Sequence, residues 1–299
     1  MLHHKSLIVF DLDGTLFNTL GDLAVAVNFA LRHFGLPEHD EQRVRTFIGN
    51  GSMKLIERSM GEAALPENVV RTGITIEMVH KVYSDFYWEH CTERTLPNPG
   101  VVEFLRSTKA RVAMLTNKPE RPTLKLLEHF HLRDRFEFIL CGDTTPERKP
   151  SHAGLLKIME SAGVSPAETV MVGDDQPDIL AARNAGIDCI TLFCGFGKPV
   201  NLLPLKPENI VQSYEELWML LKNLVEIGSD YSKSSSFWMA FSIQSNLRFR
   251  SVPRAYPPIP LRLLTTRWQG TTTCKGLLWR ALPTDRSAWG WPIDSAISL

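Results

Sequence analysis

The chain has 299 residues, 33 basic against 33 acidic and 43% apolar, enough for one or two globular domains with sizeable cores. Charge balance argues against a general nucleic-acid or polyanion binder, and no apolar run approaches the roughly 18 residues needed to cross a bilayer. The expectation is therefore a cytoplasmic protein, monomer or homodimer, with neither a membrane nor a nucleic-acid partner. Its five cysteines are odd in number and lack the paired spacing of a zinc site, which points to buried free thiols in a reducing compartment.

The first predicted strand, Leu7–Phe10, runs straight into Asp11 and Asp13, then Gly14 and Thr15. Leu20, Leu23, Ala24, Val27, Leu31 and Phe34 follow helical spacing, with Thr19 and Asp22 as a capping box and Gly35 as the C-terminal stop. A Gly49-Asn50-Gly51 turn precedes a helix over Ser52–Met60, and Val79, Val82, Tyr83 and Phe86 form the apolar stripe of another over Ile76–His90. Some ninety residues of helical character are far more than a crossover needs, so they read as an inserted subdomain. Leu96-Pro97-Asn98-Pro99-Gly100 brings the chain back as a stiff linker, one of two hinges.

Strands follow at Val112–Leu115, Phe136–Leu140, Thr169–Val172 and Cys189–Phe193, alternating with helical patterns. That alternation predicts a Rossmann-like α/β core, a parallel sheet with helices on both faces, whose ligands sit beyond the carboxyl ends of the strands. The polar residues that follow these strands converge on that edge: Asp11 and Asp13, Thr116-Asn117-Lys118, Gly142-Asp143, and Gly173-Asp174-Asp175. A last helix spans Tyr214–Val225. Residues 231–299 then carry seven Arg and two Lys against two Asp, with five of the seven Trp and no sustained periodicity. The division is core 1–17 and 97–228, helical cap 18–96, and an atypical, disordered tail 229–299 with no part in the activity.

Two carboxylates one residue apart repel unless a cation or proton is shared between them. Oxygen ligands without nearby His or Cys, and further acids at Asp174, Asp175 and Asp178, point to Mg²⁺ over zinc. The acids alone fit either a binding site or a hydrolase. Thr116 and Asn117 add donors for an oxyanion, and Lys149 adds a fixed positive charge, which together are the parts phosphoryl transfer requires. Lys118 reads as a solvated side chain beside the site.

FDLDGTLFNT, MLTNKP, RKP and VMVGDDQPDILAARNAG, in this order, resemble the four signature motifs of the haloacid dehalogenase superfamily of phosphatases, over residues 6–225. The resemblance implies that Asp11 is a nucleophile forming an aspartyl-phosphate and that Asp13 is first general acid, then general base. It implies Mg²⁺ on Asp11, the Asp13 main-chain carbonyl and Asp174, phosphoryl oxygens on Thr116 and Asn117, and neutralisation by Lys149. Asp175 and Asp178 would orient ligands or bound water, and Gly14 and Thr15 would lie beside the phosphate. The family usually has an acid where this chain has Asn18, a position that holds no metal. Asp13 disfavours a dehalogenase, whose members lack this second acid.

In this superfamily an insert after the first motif is a cap that closes over the substrate. Here Arg43-Val-Arg45-Thr-Phe47-Ile-Gly49-Asn50-Gly51 is similar to the cap loop of phosphoglycolate phosphatases, as are LPNPGVVEFL, LTNKPERPTLKLLEHF and CGDTTPERKP. The turn would offer main-chain N–H groups to an anion, and Arg45 would clamp a substrate carboxylate. A small phosphorylated acid such as 2-phosphoglycolate is the expected substrate. Pyrophosphate, sugar phosphates, nucleotides, a β-phosphoglucomutase-like phosphomutase and a catalytically silent binding protein are the alternatives.

Overall fold

The computed structural model describes residues 4–62 and 73–225. Six strands form one parallel sheet in the order β5-β4-β1-β6-β7-β8: β1 Leu7–Phe10, β4 Arg111–Leu115, β5 Phe138–Leu140, β6 Thr169–Gly173, β7 Asp188–Leu192 and β8 Asn209–Val211. A two-stranded antiparallel ribbon, β2 Phe17–Asn18 with β3 Leu96–Pro97, stands at the exit from the sheet. Between its strands lie α1 Leu20–His33, α2 Glu41–Arg45, α3 Ser52–Glu62 and α4 Ile76–His90. After it come α5 Val101–Ser107, α6 Glu120–His129, α7 Ala153–Ala162, α8 Gln176–Ala185, α9 Pro199–Leu202 and α10 Tyr214–Leu224. No helix among the described residues is long and apolar enough to cross a membrane.

Strand β1 is central, paired on both sides, and all four of its residues are fully buried. Alternation sends Leu7 and Val9 to one face, against Leu155, Ile158 and Met159 of α7 and Ala181 and Ala182 of α8. Ile8 and Phe10 point to the other, among Phe104 and Leu105 of α5 and Leu217 and Trp218 of α10. Burying each large apolar side chain contributes about 1.5–3 kcal/mol, and burial on both faces explains the unbroken LIVF run. The second cluster continues into the insert, where α4 packs on α1 and α3 through Ala24, Val27, Leu31, Val79 and Tyr83.

Several local expectations change. Thr19 and Asp22 do not form a capping box: Thr19 Oγ1 donates to Asp13 Oδ1 (2.7 Å), while Asp22 accepts from the main-chain N–H of Arg94 and Thr95 and from Thr95 Oγ1. Distant partners outcompete the local cap, and Asp22 pins the returning chain to α1. The Leu96–Gly100 segment is stitched down as well, with Asn98 N–H on Leu16 O, Asn98 Nδ2 on Thr15 O and Trp218 Nε1 on Pro99 O. Strand β8 and the ribbon were absent from the sequence reading because three residues, or two with a proline, carry no readable alternation. Of the cysteines, Cys91 and Cys141 are buried as expected, but Cys189 is half-buried and Cys194 exposed. Cys274 and the predicted tail lie outside the described residues.

Candidate active site

Asp11 leaves the end of β1 with its N–H on Val172 O (3.0 Å), and Gly14 then turns the chain with φ +84°. A Cβ at Gly14 would lie 2.4 Å from Asp174 Oδ2, so only glycine lets this loop rest against that carboxylate. Asp174, fully buried beyond β6, accepts from Thr15 Oγ1 (2.7 Å) on Oδ1 and from the N–H of Phe196 (2.7 Å) and Gly197 (3.3 Å) on Oδ2. Asp178, in the first turn of α8, accepts Lys149 Nζ (2.6 Å) on Oδ1 and the N–H groups of Asp174 and Asp175 (3.1 Å each) on Oδ2. Lys149 Nζ also lies 2.8 Å from Asp11 Oδ1, so one buried ammonium bridges two acids.

These acids outnumber the cation. Burial pushes the Asp11 carboxyl up to about 6, with Asp178 and Asp13 adding to it and Lys149 opposing. Burial, with Asp178 and Asp11 nearby, holds Asp174 well above the carboxylate range, and burial with Asp11 also raises Asp175. Burial works against the Lys149 charge, but Asp11 and Asp178 more than offset it and the ammonium is held above its ordinary range. Carboxylate oxygens of Asp11, Asp174 and Asp178 approach within 4.8 Å of one another, an all-oxygen donor set that suits a hard divalent cation. Asp178 is tied up by an ammonium and two main-chain N–H groups, and Asp174 by a hydroxyl and two N–H groups, so a bound cation would share these carboxylates with the donors that already orient them.

The end of β4 supplies Thr116, Asn117 and Lys118, all buried. Thr116 N–H reaches Leu140 O (3.0 Å), and its Oγ1 accepts from Lys118 N–H (3.2 Å), while α6 is capped by Pro119. Asn117 Nδ2 donates to Gly49 O and Lys149 O (3.0 Å each), tying the insert and the Lys149 loop to β4. Lys118 is not a solvated side chain: it is 4% exposed, with Nζ 3.0 Å from Asp13 Oδ1 and 2.8 Å from the Tyr87 hydroxyl. The turn after β4 points it inward, where the half-buried Asp13 carboxylate compensates its desolvation.

A cavity of about 390 Å³ separates these strand ends from the insert, lined on the core side by Asp11, Asp13, Thr116, Asn117 and Asp174. Gly49 (φ +118°) brings the insert turn against the core, where a Cβ would stand 2.3 Å from Asp175 Oδ2. Gly51 lines the cavity, whereas Asn50 accepts from Arg58 Nη2 (2.6 Å) and is not part of its wall. Arg45 lines the cavity too, but its guanidinium donates to the carbonyls of Gly195 and Phe196 and lies over the Phe196 ring. The sequence reading missed His80, Tyr87, Trp88, Arg121 and Arg148 on this wall. Tyr87, four residues after Tyr83, was legible as an extension of the α4 stripe; the others carry no signal in a single sequence.

A family model described as haloacid dehalogenase-like hydrolase matches residues 8–192. The chain is similar to phosphoglycolate phosphatase of Chromobacterium violaceum, 37% identical over 225 residues that cover 74% of this chain and 99% of that one. Phosphoglycolate phosphatase of Psychrobacter arcticus is 35% identical over 217 residues, covering 71% and 94%. A solved structure of a predicted phosphoglycolate phosphatase from Haemophilus somnus superposes with a TM-score of 0.67 at 30% identity, over 73% of this chain and 98% of that one.

Proposed function

This chain belongs to the haloacid dehalogenase-like hydrolases and is a phosphatase of the phosphoglycolate phosphatase type; from that premise we propose that it hydrolyses 2-phosphoglycolate, or a similar small phosphorylated acid, through an aspartyl-phosphate on Asp11. The observation that carries this reading is the Asp11–Lys149–Asp178 bridge beside Asp174 at the floor of the cavity. Asp11, the Asp13 carbonyl and Asp174 would hold Mg²⁺, which when bound shields the charge of the nucleophile and of the phosphoryl oxygens.

Asp11 attacks phosphorus as the bond to the leaving oxygen breaks, and Asp13 gives that oxygen its proton. Asp13 then takes a proton from water as the water oxygen bonds phosphorus and the bond to Asp11 breaks, so inorganic phosphate leaves, Asp11 is restored as a carboxylate and Asp13 as the acid. Lys149 neutralises Asp11 and the transferring group, while the Thr116 hydroxyl and the main-chain N–H of Asn117, whose side-chain amide is taken up by Gly49 O and Lys149 O, serve the phosphoryl oxygens. Residues 1–17 and 97–228 act as the core and 18–96 as the cap that excludes water.

Because Arg45 is engaged with main-chain carbonyls, we assign the substrate carboxylate to Arg148. Its Nε holds Gly142 O (2.6 Å), and its Nη1 would lie 3.1 Å from a Cβ at Gly51, beside the insert turn. Phosphate release from 2-phosphoglycolate, measured with Mg²⁺ and then with EDTA across a panel of small phosphate esters, tests the proposal. Turnover requiring Mg²⁺ and favouring the acid is expected; EDTA-insensitive turnover overturns the mechanism, and a better neutral substrate overturns the substrate.

A further inference from the structure

Asp13 presents its two oxygens to different surroundings. Oδ1 receives both Thr19 Oγ1 (2.7 Å) and Lys118 Nζ (3.0 Å), which occupies the lone pairs a carboxylate oxygen offers in its plane. Oδ2 has no hydrogen-bond partner among the described residues, the side chain is 16% exposed, and the residue lines the cavity. The oxygen free to exchange a proton with a bound ester or a water is therefore Oδ2.

The donor that fixes this orientation is itself held from across the cavity. Lys118 Nζ donates to the hydroxyl of Tyr87 (2.8 Å), and Tyr87 belongs to α4 of the insert. Its ring is 3% exposed and stacks on Tyr83, with centroids 5.5 Å apart and planes 7° from parallel. Burial raises the Tyr87 phenol well above its ordinary range, so it meets Lys118 as a neutral acceptor. An ammonium has three donors and no acceptor. Take the tyrosine oxygen away and a buried donor of Lys118 loses its acceptor, which frees the ammonium to shift on Asp13.

We infer that Lys118 and Tyr87 are positioning residues for Asp13: with Thr19 they saturate Oδ1 and reserve Oδ2 for proton transfer, and the Tyr87 contact makes that orientation depend on the seating of α4 against the core. The inference rests on Asp13 being the acid–base group of the proposed function. It assigns work to a lysine and a tyrosine beyond the residues that contact the phosphoryl group.

The test compares leaving groups in the full chain with Mg²⁺. An alkoxide leaving group needs a proton from Asp13, whereas p-nitrophenolate hardly does. Tyr87→Phe keeps the ring and its stacking and removes only the acceptor. It should lower kcat/KM for 2-hydroxyethyl phosphate about tenfold, and for p-nitrophenyl phosphate less than about twofold, since well-placed acid catalysis supplies 10²–10⁴. Inhibition by inorganic phosphate should be unchanged. Lys118→Met should widen the same split; if that buried substitution fails to fold, Tyr87→Phe alone decides.

Equal losses on both esters would show that the pair only props the insert, and no loss would remove it from the reaction; either result overturns the inference. The parent reading fails separately, when the wild-type chain turns over either ester without Mg²⁺. The neutral alkyl ester keeps the outcome independent of how a substrate carboxylate is held.

Discussion

At the sheet edge each reacting group is fixed by buried, short-range partners: Asp174 by Thr15 and two main-chain N–H groups, Asp178 by two more and Lys149, Asp11 by its strand and the same lysine. Across the cavity the insert meets the core through single side chains reaching the opposite wall, as Arg45 reaches the 195–196 carbonyls, Asn117 the Gly49 carbonyl and Tyr87 the Lys118 ammonium. Chemistry at phosphorus tolerates little displacement, which suits strand ends; admitting substrate requires contacts that part and reform, which suits isolated hydrogen bonds.

Asp11→Asn strikes the rigid side hardest. Turnover should fall by at least about 10³-fold, the scale for losing a covalent nucleophile, as measured by phosphate release. The same variant tests whether this edge is strained without metal. The folded Asp11 carboxyl sits at about 6, above its ordinary 3.8. Between those values the folded state holds the proton more tightly, so this group's contribution makes wild-type stability rise as pH falls from 6 towards 4. The Asn variant lacks that rise. Urea unfolding in EDTA should therefore find the variant gaining on the wild type as pH goes from 4 to 8, and a difference that does not change with pH would mean the edge carries no such strain.

Gly14→Ala comes next. The new Cβ meets Oδ2 of Asp174, a carboxylate that three donors, two of them on Oδ2, keep from retreating, at a backbone angle that L side chains avoid. A loss of about 1–3 kcal/mol is expected from strain of this kind, with weaker Mg²⁺ activation, read by urea unfolding and a metal titration. A smaller effect separates the two arginines of the cavity, Arg148 on the core side and Arg45 on the insert. Arg148→Ala should lower kcat/KM for 2-phosphoglycolate roughly tenfold relative to 2-hydroxyethyl phosphate, the range for one charge-assisted hydrogen bond. Arg45→Ala should affect both esters alike, because its guanidinium holds a loop; the reverse pattern would restore Arg45 as the carboxylate clamp.

The same contrast explains what was legible in the sequence. Leu7–Phe10, Thr169–Gly173 and the other central strands show as apolar runs because they are buried on both faces, and the acids that end them stand out against those runs. Lys118 was misread because its burial depends on Tyr87, thirty-one positions earlier on another element, and no local pattern announces such a pairing. Arg45 was readable as a cation near the site, but whether it faces substrate or the Gly195 carbonyl is decided by the docking of the insert. Asp22 was taken for a cap because capping boxes are local, whereas its partners Arg94 and Thr95 arrive from the far end of the insert.

Gly49→Ala is the insert's counterpart to Gly14→Ala, and its effect should be the smallest. Geometrically the two look alike: φ is +118° at Gly49, and the added Cβ would fall 2.3 Å from Asp175 Oδ2. The surroundings differ. Asp175 is a half-buried residue at the cap of α8 and not one of the reacting groups, and the insert turn is held to the residues after β4 by the Asn117–Gly49 bond. Shifting that turn outward relieves the contact without moving any reacting group, so the cost falls on closure over substrate. KM should rise a few-fold with kcat retained and unfolding free energy changed by less than about 1 kcal/mol, as for substitutions outside a packed core. A stability loss matching that of Gly14→Ala would show the insert wall to be as unyielding as the sheet edge, and the division between a rigid floor and a releasable lid would fail.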